Sequence, residues 1–286
     1  MAGVVGRFAQ LFDDRSHTRL PAPHSILIDS RDRDFVKYPT PSDYVITFPT
    51  TYKNVTKARL ISAELPSSFY VFNCHAGNTS LKMILLPFNT KDIVIPDGNY
   101  DQSTFEVVVE GAMNEAYAGD HVTFIVSIDP MTLKTTITCS DASKTIGIDT
   151  TTTNTRQTGW GLAYYLGFPQ KNTMYSGAGS LISPSSVSIN PELYILISID
   201  PLDTVDESGI DGSGGGDWIF AKVPFNVNSG DICFYDKQIT CNLLSPPIPK
   251  IDKMRVRMRF HGSSELVDFN GIDHSVTLEL ECSQTR

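Results

Sequence analysis

The sequence predicts an all-β fold, an antiparallel sandwich or barrel, and three observations carry that prediction. Ten short stretches are rich in β-branched or aromatic residues, and most are bounded by Pro, Gly, Asn or Asp, which stop strands for backbone reasons. Beyond residue 24, helical spacing is confined to one long run and one short one. Strand signals do not alternate with helical ones, which argues against parallel βαβ architectures.

The strand stretches are Ser25–Asp29, Tyr44–Phe48, Lys57–Glu64, Ser80–Leu86, Val122–Ile128, Leu133–Cys139, Leu193–Ile199, Trp218–Val223, Lys253–Phe260 and His274–Cys282. Val122–Ile128 and Leu133–Thr138 read as a hairpin through Asp129-Pro130-Met131-Thr132. There Pro130 supplies the φ that a type I turn prefers at its second position. At the C-terminal end, Val256, Met258 and Phe260 alternate with Arg255, Arg257 and Arg259. Val276, Leu278, Leu280 and Cys282 alternate with Thr277, Glu279 and Glu281. Period-2 alternation buries each apolar set on one face. Antiparallel pairing of these two strands would set the arginines opposite the glutamates. The long helical run is Ser103–Tyr117, with Ser103 and Glu106 spaced as a capping box and Phe105, Val108, Val109, Ala112, Met113 and Ala116 on one face. A short second helix is expected at Gly161–Leu166.

Between these elements, residues 141–158 and 200–217 are polar and Thr- or Gly-rich and read as inserted surface loops. Residues 1–24, with Pro21 and Pro23, read as an extended N-terminal arm, leaving 25–286 as a single sandwich domain. Val4, Val5, Phe8, Leu11 and Phe12 fall on one face of a short helix within the arm, a face suited to docking on a neighbouring subunit. Packing back on its own sandwich is the alternative.

The 286 residues carry 23 Lys and Arg against 32 Asp and Glu, a net charge of −9, and 41% are hydrophobic. That composition fits a globular chain. The acidic balance argues against direct nucleic-acid binding, which wants a basic footprint. Cys74, Cys139, Cys233, Cys241 and Cys282 are odd in number and form no C-x-x-C pair, so reduced thiols are expected. No signal peptide and no transmembrane segment is expected.

No nucleophile elbow, phosphate loop, zincin motif or dinucleotide fingerprint occurs, and the six histidines have no metal-ligand spacing. No catalytic, cofactor or metal residue is therefore assigned, and no enzyme activity is expected. The densest charge cluster is Asp29-Ser30-Arg31-Asp32-Arg33-Asp34. Its carboxylates could meet one Ca²⁺, but two arginines intervene and no glycine makes the sharp turn, so a self-paired turn or an interface salt-bridge site is favoured.

Several segments taken in order carry a family resemblance. They are Ile28-Asp29-Ser30-Arg31-Asp32-Arg33, Tyr38–Tyr44, Tyr52–Thr56, Ser62–Asn73, Ile95–Tyr100, Tyr165–Phe168 and Asp268–Ser275. Together they resemble minor capsid and penton-type structural proteins of nucleocytoplasmic large DNA viruses, in particular algal giant viruses, over about residues 25–280. The resemblance implies a jelly-roll β-sandwich in an icosahedral capsid assembled in the host cytoplasm. It implies a vertex capsomer or a cement protein contacting the major capsid protein and other minor capsid proteins, as a homo-oligomer for which a pentamer is one option. Aromatic and Arg residues being the usual interface anchors, Asp29, Arg31, Asp32, Arg33, Tyr38, Tyr44, Phe69 and Tyr70 join the arm's five apolar residues as interface candidates. Phe69 fits the sandwich core as well as an interface. The alternative function is a carbohydrate- or receptor-binding sandwich on the virion, with Trp160 or Trp218 stacking a sugar.

Overall fold

A computed structural model of the chain describes residues 23–87, 89–151, 159–171, 173–189, 194–206, 218–236, 241–261 and 265–283. The N-terminal arm as far as residue 22, including Val4, Val5, Phe8, Leu11 and Phe12, lies outside the described residues. So does most of the Thr-rich stretch and of the Gly-rich one. The elements begin with β1 (Pro23–Asp29), β2 (Asp43–Pro66), β3 (Ser80–Leu86), β4 (Asn89–Val94), α1 (Gln102–Ala116), β5 (Phe124–Ile128), β6 (Lys134–Cys139) and β7 (Thr145–Asp149). They continue through α2 (Leu162–Tyr165), β8 (Tyr175–Ala178), β9 (Ser180–Ser186), β10 (Tyr194–Asp200), β11 (Val205–Asp206) and β12 (Trp218–Ile219). The chain then closes with β13 (Ala221–Pro224), β14 (Ile232–Tyr235), β15 (Asn242–Arg259) and β16 (Ser275–Cys282). The fold is all-β, with every strand pair antiparallel.

The largest sheet runs β1-β16-β2-β15-β10-β13, with β14 added on β2. Two long strands let it curl. The start of β2 pairs with the end of β15 (Tyr44↔Val256), and the end of β2 pairs with β16 and β14 (Glu64↔Ser275, Glu64↔Phe234). Between those halves, Thr47–Asn54 has no buried residue. The β2–β15 register slips here, between Ile251 and Lys253 and again between Leu243 and Ile248. Pro49 on β2 and Pro246, Pro247 and Pro249 on β15 cannot donate ladder bonds, so bulges and a bend are what these stretches permit. Tyr44, Ile46, Val256 and Met258 thereby share a core with Leu60, Leu65, Val276 and Leu278. This is the jelly-roll sandwich the resemblance implies.

A second core lies wholly between β2 and β10 in the chain. Its sheets are β4-β3-β7-β8 and β5-β6-β9, with α1 against β5 and β4. Phe72, Phe105, Met113, Tyr117, Phe124 and Phe168 are fully buried in it. Val71 packs against both cores.

Four expectations are corrected by these elements. Tyr44–Phe48 and Lys57–Glu64 are one strand, because the polar stretch between them keeps extended backbone through the bend. Residues 145–149, read as loop, form β7 and bury Ile146 and Ile148; Gly147 had masked the alternation. The cap of α1 is Asp101, which accepts from the Thr104 amide at 2.7 Å while Thr104 Oγ1 accepts from the Asp101 amide at 3.0 Å. Glu106 instead accepts from the amide of Ile128 at 2.6 Å, tying the helix to β5. Finally, β15 and β16 are not neighbours, since β2 lies between them. Glu279 pairs with Arg59 at 2.8 Å, Glu281 with Lys57 at 2.9 Å, and Arg255 with Asp43 at 2.8 and 2.7 Å. The hairpin expected from Val122–Ile128 and Leu133–Thr138 forms, with strands Phe124–Ile128 and Lys134–Cys139.

Candidate functional site

Four of the ordered segments behind the resemblance converge at one end of the sandwich, although more than 200 residues separate the first from the last. Asp29, at the end of β1, caps a short 3₁₀ turn, Ser30–Asp32. Its carboxylate accepts from the Arg31 amide and from Arg31 Nε, each at 2.9 Å. The Arg31 side chain holds the Asp29 carboxyl below the ordinary range. Across the sheet, Asn270 and Gly271 both take positive φ (52° and 76°), which places a tight turn ahead of β16. Asparagine and glycine are the residues that adopt such a pair with least strain.

The turn delivers Asp273 and His274 against Ser30. Ser30 Oγ donates to Asp273 Oδ1 at 2.7 Å, and the His274 amide donates back to Ser30 Oγ at 2.9 Å. Arg33 is buried. It donates to the carbonyls of Ser30 (2.6 Å), Tyr38 (3.0 Å) and Pro39 (3.4 Å) and forms an ion pair with Asp273. Burial works to raise the Asp273 carboxyl, but the bonds from Ser30 and Arg33 outweigh it and hold the group below its usual range.

His274 is buried, and its Nε2 lies 2.8 Å from the Pro41 carbonyl. A carbonyl only accepts, so the proton sits on Nε2 and the bare nitrogen is Nδ1, which has no partner among the described residues. Burial lowers this imidazole to about 4, so it stays neutral near pH 7.

These groups border a pocket of about 470 Å³ walled by the Ser30 turn, the end of β2, the Gly230–Ile232 stretch and the Asn270 turn. Ile232 and Ile272, each 51% exposed, give it apolar walls. Glu64 and Asp231 line it too; Glu64 accepts from Ser275 Oγ at 2.7 Å, and neither carboxylate has an ion pair among the described residues.

The candidate residues divide by burial. Asp29 is half-buried, and Arg31 and Asp32 are exposed. Tyr70 is 48% exposed. Tyr38 is half-buried against the first core. Arg33, Tyr44 and Phe69 lie inside the chain, with Phe69 packed on Phe225 and Phe260 at centroid distances of 5.2 and 5.1 Å. Asp231 and Ile232 escaped the sequence reading because nothing local marks them: only the pairing of β14 on β2 brings them to the pocket. Asp29 and Asp34 do not converge on an ion, since Asp34 accepts from the Val36 and Lys37 amides. No three His, Cys, Asp or Glu side chains gather as a metal site among the described residues.

A second titratable group stands near the arginines of β15. Burial pushes the Asp203 carboxyl up to about 6, against the opposing effects of the Ile199 amide (2.6 Å), Arg257 and Arg259. A carboxyl raised in the fold is penalised when ionised, so stability falls as pH rises from about 4 to about 6 and stays lowered above. Asp203→Asn keeps an oxygen for the Ile199 amide and removes the charge. It is expected to stabilise the protein at pH 7.5 by about 2 kcal/mol and to have little effect at pH 4. Urea midpoints at both pH values test this; an equal effect at both would refute it.

The chain is a curled antiparallel jelly roll whose loops gather into a pocket at one end. The crystal structure of the mavirus penton protein matches it with a TM-score of 0.52 at 12% identity, over 91% of this chain and 98% of that one, a likeness of fold. A Sputnik virophage chain solved by cryo-EM has a TM-score of 0.46 at 12% identity, over 92% of this chain and 98% of that one. The chain belongs to a family of unknown function, DUF5901, whose pattern matches residues 21–233. A stretch of 96 residues is 27% identical to Penton capsid protein P1 of Paramecium bursaria Chlorella virus 1, 32% of this chain and 55% of that protein. The resemblance to penton-type proteins of large DNA viruses read from the ordered segments is thereby supported.

Proposed function

We propose that this chain is a non-enzymatic structural protein of a virion, a penton-type capsomer of an icosahedral shell assembled in the host cytoplasm. The observation that carries the reading is the 27% identity to Penton capsid protein P1; the jelly-roll fold is compatible with it. In this reading the chain forms a closed ring of its own copies, contacts the major capsid protein and other minor capsid proteins, and uses residues 1–24 in assembly. Closed rings need head-to-tail contacts between two different patches on each subunit. The exposed loop Asp34–Lys37 is suited to one such contact, because Phe35 and Val36 are 54% and 96% exposed on a turn fixed by Asp34.

The purified chain is expected to run as a pentamer in native mass spectrometry, and a reconstruction of intact particles is expected to place its density at the five-fold vertices. Density confined to the seams between capsomers, with a chain that stays monomeric at micromolar concentration, would overturn the vertex assignment.

A further inference from the structure

We propose that the pocket beside Asp231 and Glu64 seats an arginine from residues 1–22 of a neighbouring copy, with Arg7 the leading choice. This rests on the reading of the chain as a ring-forming shell protein.

The pocket's chemistry asks for a cation on an apolar stem. Its volume of about 470 Å³ suits a few side chains, near the small end of the roughly 300–1,000 Å³ typical of ligand clefts. Ile232 and Ile272 offer apolar wall, and Glu64 and Asp231 have no ion pair among the described residues. Asp29 and Asp273, also on the rim, are already held by Arg31 and Arg33. A guanidinium presents a planar fork to carboxylates and lays its methylenes on apolar surface.

Residues 1–22 supply that chemistry. They hold Arg7, Arg15 and Arg19 against Asp13 and Asp14, a net +1 on a chain of net −9. Arg7 stands among Val4, Val5, Phe8 and Leu11, so an arginine and apolar side chains arrive together.

The register of β1 starts this segment at the end of the strand away from its own pocket. Asp29, on the pocket rim, pairs with Ser275, whereas Pro23 pairs with Glu281 at the far end of the strand. Six residues of strand separate them by about 20 Å. Twenty-two residues can span about 70 Å, against a radius of gyration of roughly 19 Å for a compact chain of this length. An adjacent copy is well within reach.

The test uses a fluorescent peptide of residues 1–22 titrated onto the full-length chain at nanomolar dilution, where copies are apart. The peptide is expected to bind. An Arg7→Glu peptide, and a chain carrying Glu64→Lys with Asp231→Lys, should each weaken binding by about tenfold or more. Pairing the Arg7→Glu peptide with the reversed chain should recover at least part of the loss, which a misfolded variant could not do. Absence of binding, or binding indifferent to the pocket reversal, would overturn the proposal. Binding sensitive to the pocket but not to Arg7 would reassign the contact to Arg15 or Arg19, tested by the same reversal in the peptide; indifference there too would overturn the arginine. The vertex assignment is judged separately, by particle density, and can survive any of these outcomes.

Discussion

Arg33→Ala is expected to cost roughly 3–5 kcal/mol of unfolding free energy, the range for removing one partner of a buried ion pair. The guanidinium is buried and holds three carbonyls as well as Asp273. Without it, the carbonyls of Ser30, Tyr38 and Pro39 lose a shared donor, and Asp273 keeps only the Ser30 hydroxyl among its side-chain bonds. The Asp273 side chain is 28% exposed, so water relieves part of the penalty and the lower half of the range is the better figure. Arg33→Lys should recover only part of the loss, because an ammonium cannot reproduce the fork. Equilibrium denaturation of the three chains checks this. A loss below about 1 kcal/mol would mean that the turn holds without its guanidinium.

The second large effect is expected in the inserted core. Phe72→Ala should destabilise that core by about 3–5 kcal/mol, the usual cost of emptying a buried aromatic site. Phe72 is fully buried, with ring centroids of Tyr165 at 4.8 Å, Phe105 at 5.1 Å and Tyr100 at 5.4 Å. Its backbone also exchanges two bonds with Gly98, at 3.0 and 2.9 Å. Hydrogen exchange should show protection lost first in β3, β4 and α1 and later in β2 and β15. Uniform loss across both cores would mean that they unfold as one unit.

The parts of the fold that follow from local pattern were legible in the sequence. Ser80–Leu86, a short apolar stretch, forms the strand as read. Asp129-Pro130 marks a turn because proline fixes its own backbone, and the Asp129 side chain accepts from Met131 at 2.8 Å and Thr132 at 2.9 Å. Strand order was not legible. Arg255 and Glu279 carry compatible charges, and nothing local tells each that Asp43 or Arg59 is its partner, because β2 passes between them. The cap of α1 was misplaced by two residues because Asp101, Ser103 and Thr104 are all competent cap formers within one turn. At the candidate site, the Asp29 cluster was visible as a self-paired turn. The burial of Arg33 was not, since its partner Asp273 lies 240 residues away. Thr145–Asp149 was hidden by its glycine.

The placement of the second core inside the first also sets an order of events during translation. Tyr44 must pair with Val256, 212 residues further on, and β1 must wait for β16. At about 5–20 residues per second, the first strands leave the ribosome on the order of 10–40 s before their partners exist. The inserted core has all its residues by position 189 and can close in that interval. The earliest strands of the sandwich therefore spend that time as open edges beside an already folded neighbour. Co-translational protection from premature pairing between nascent chains is thus a demand that this topology places on the cell making it.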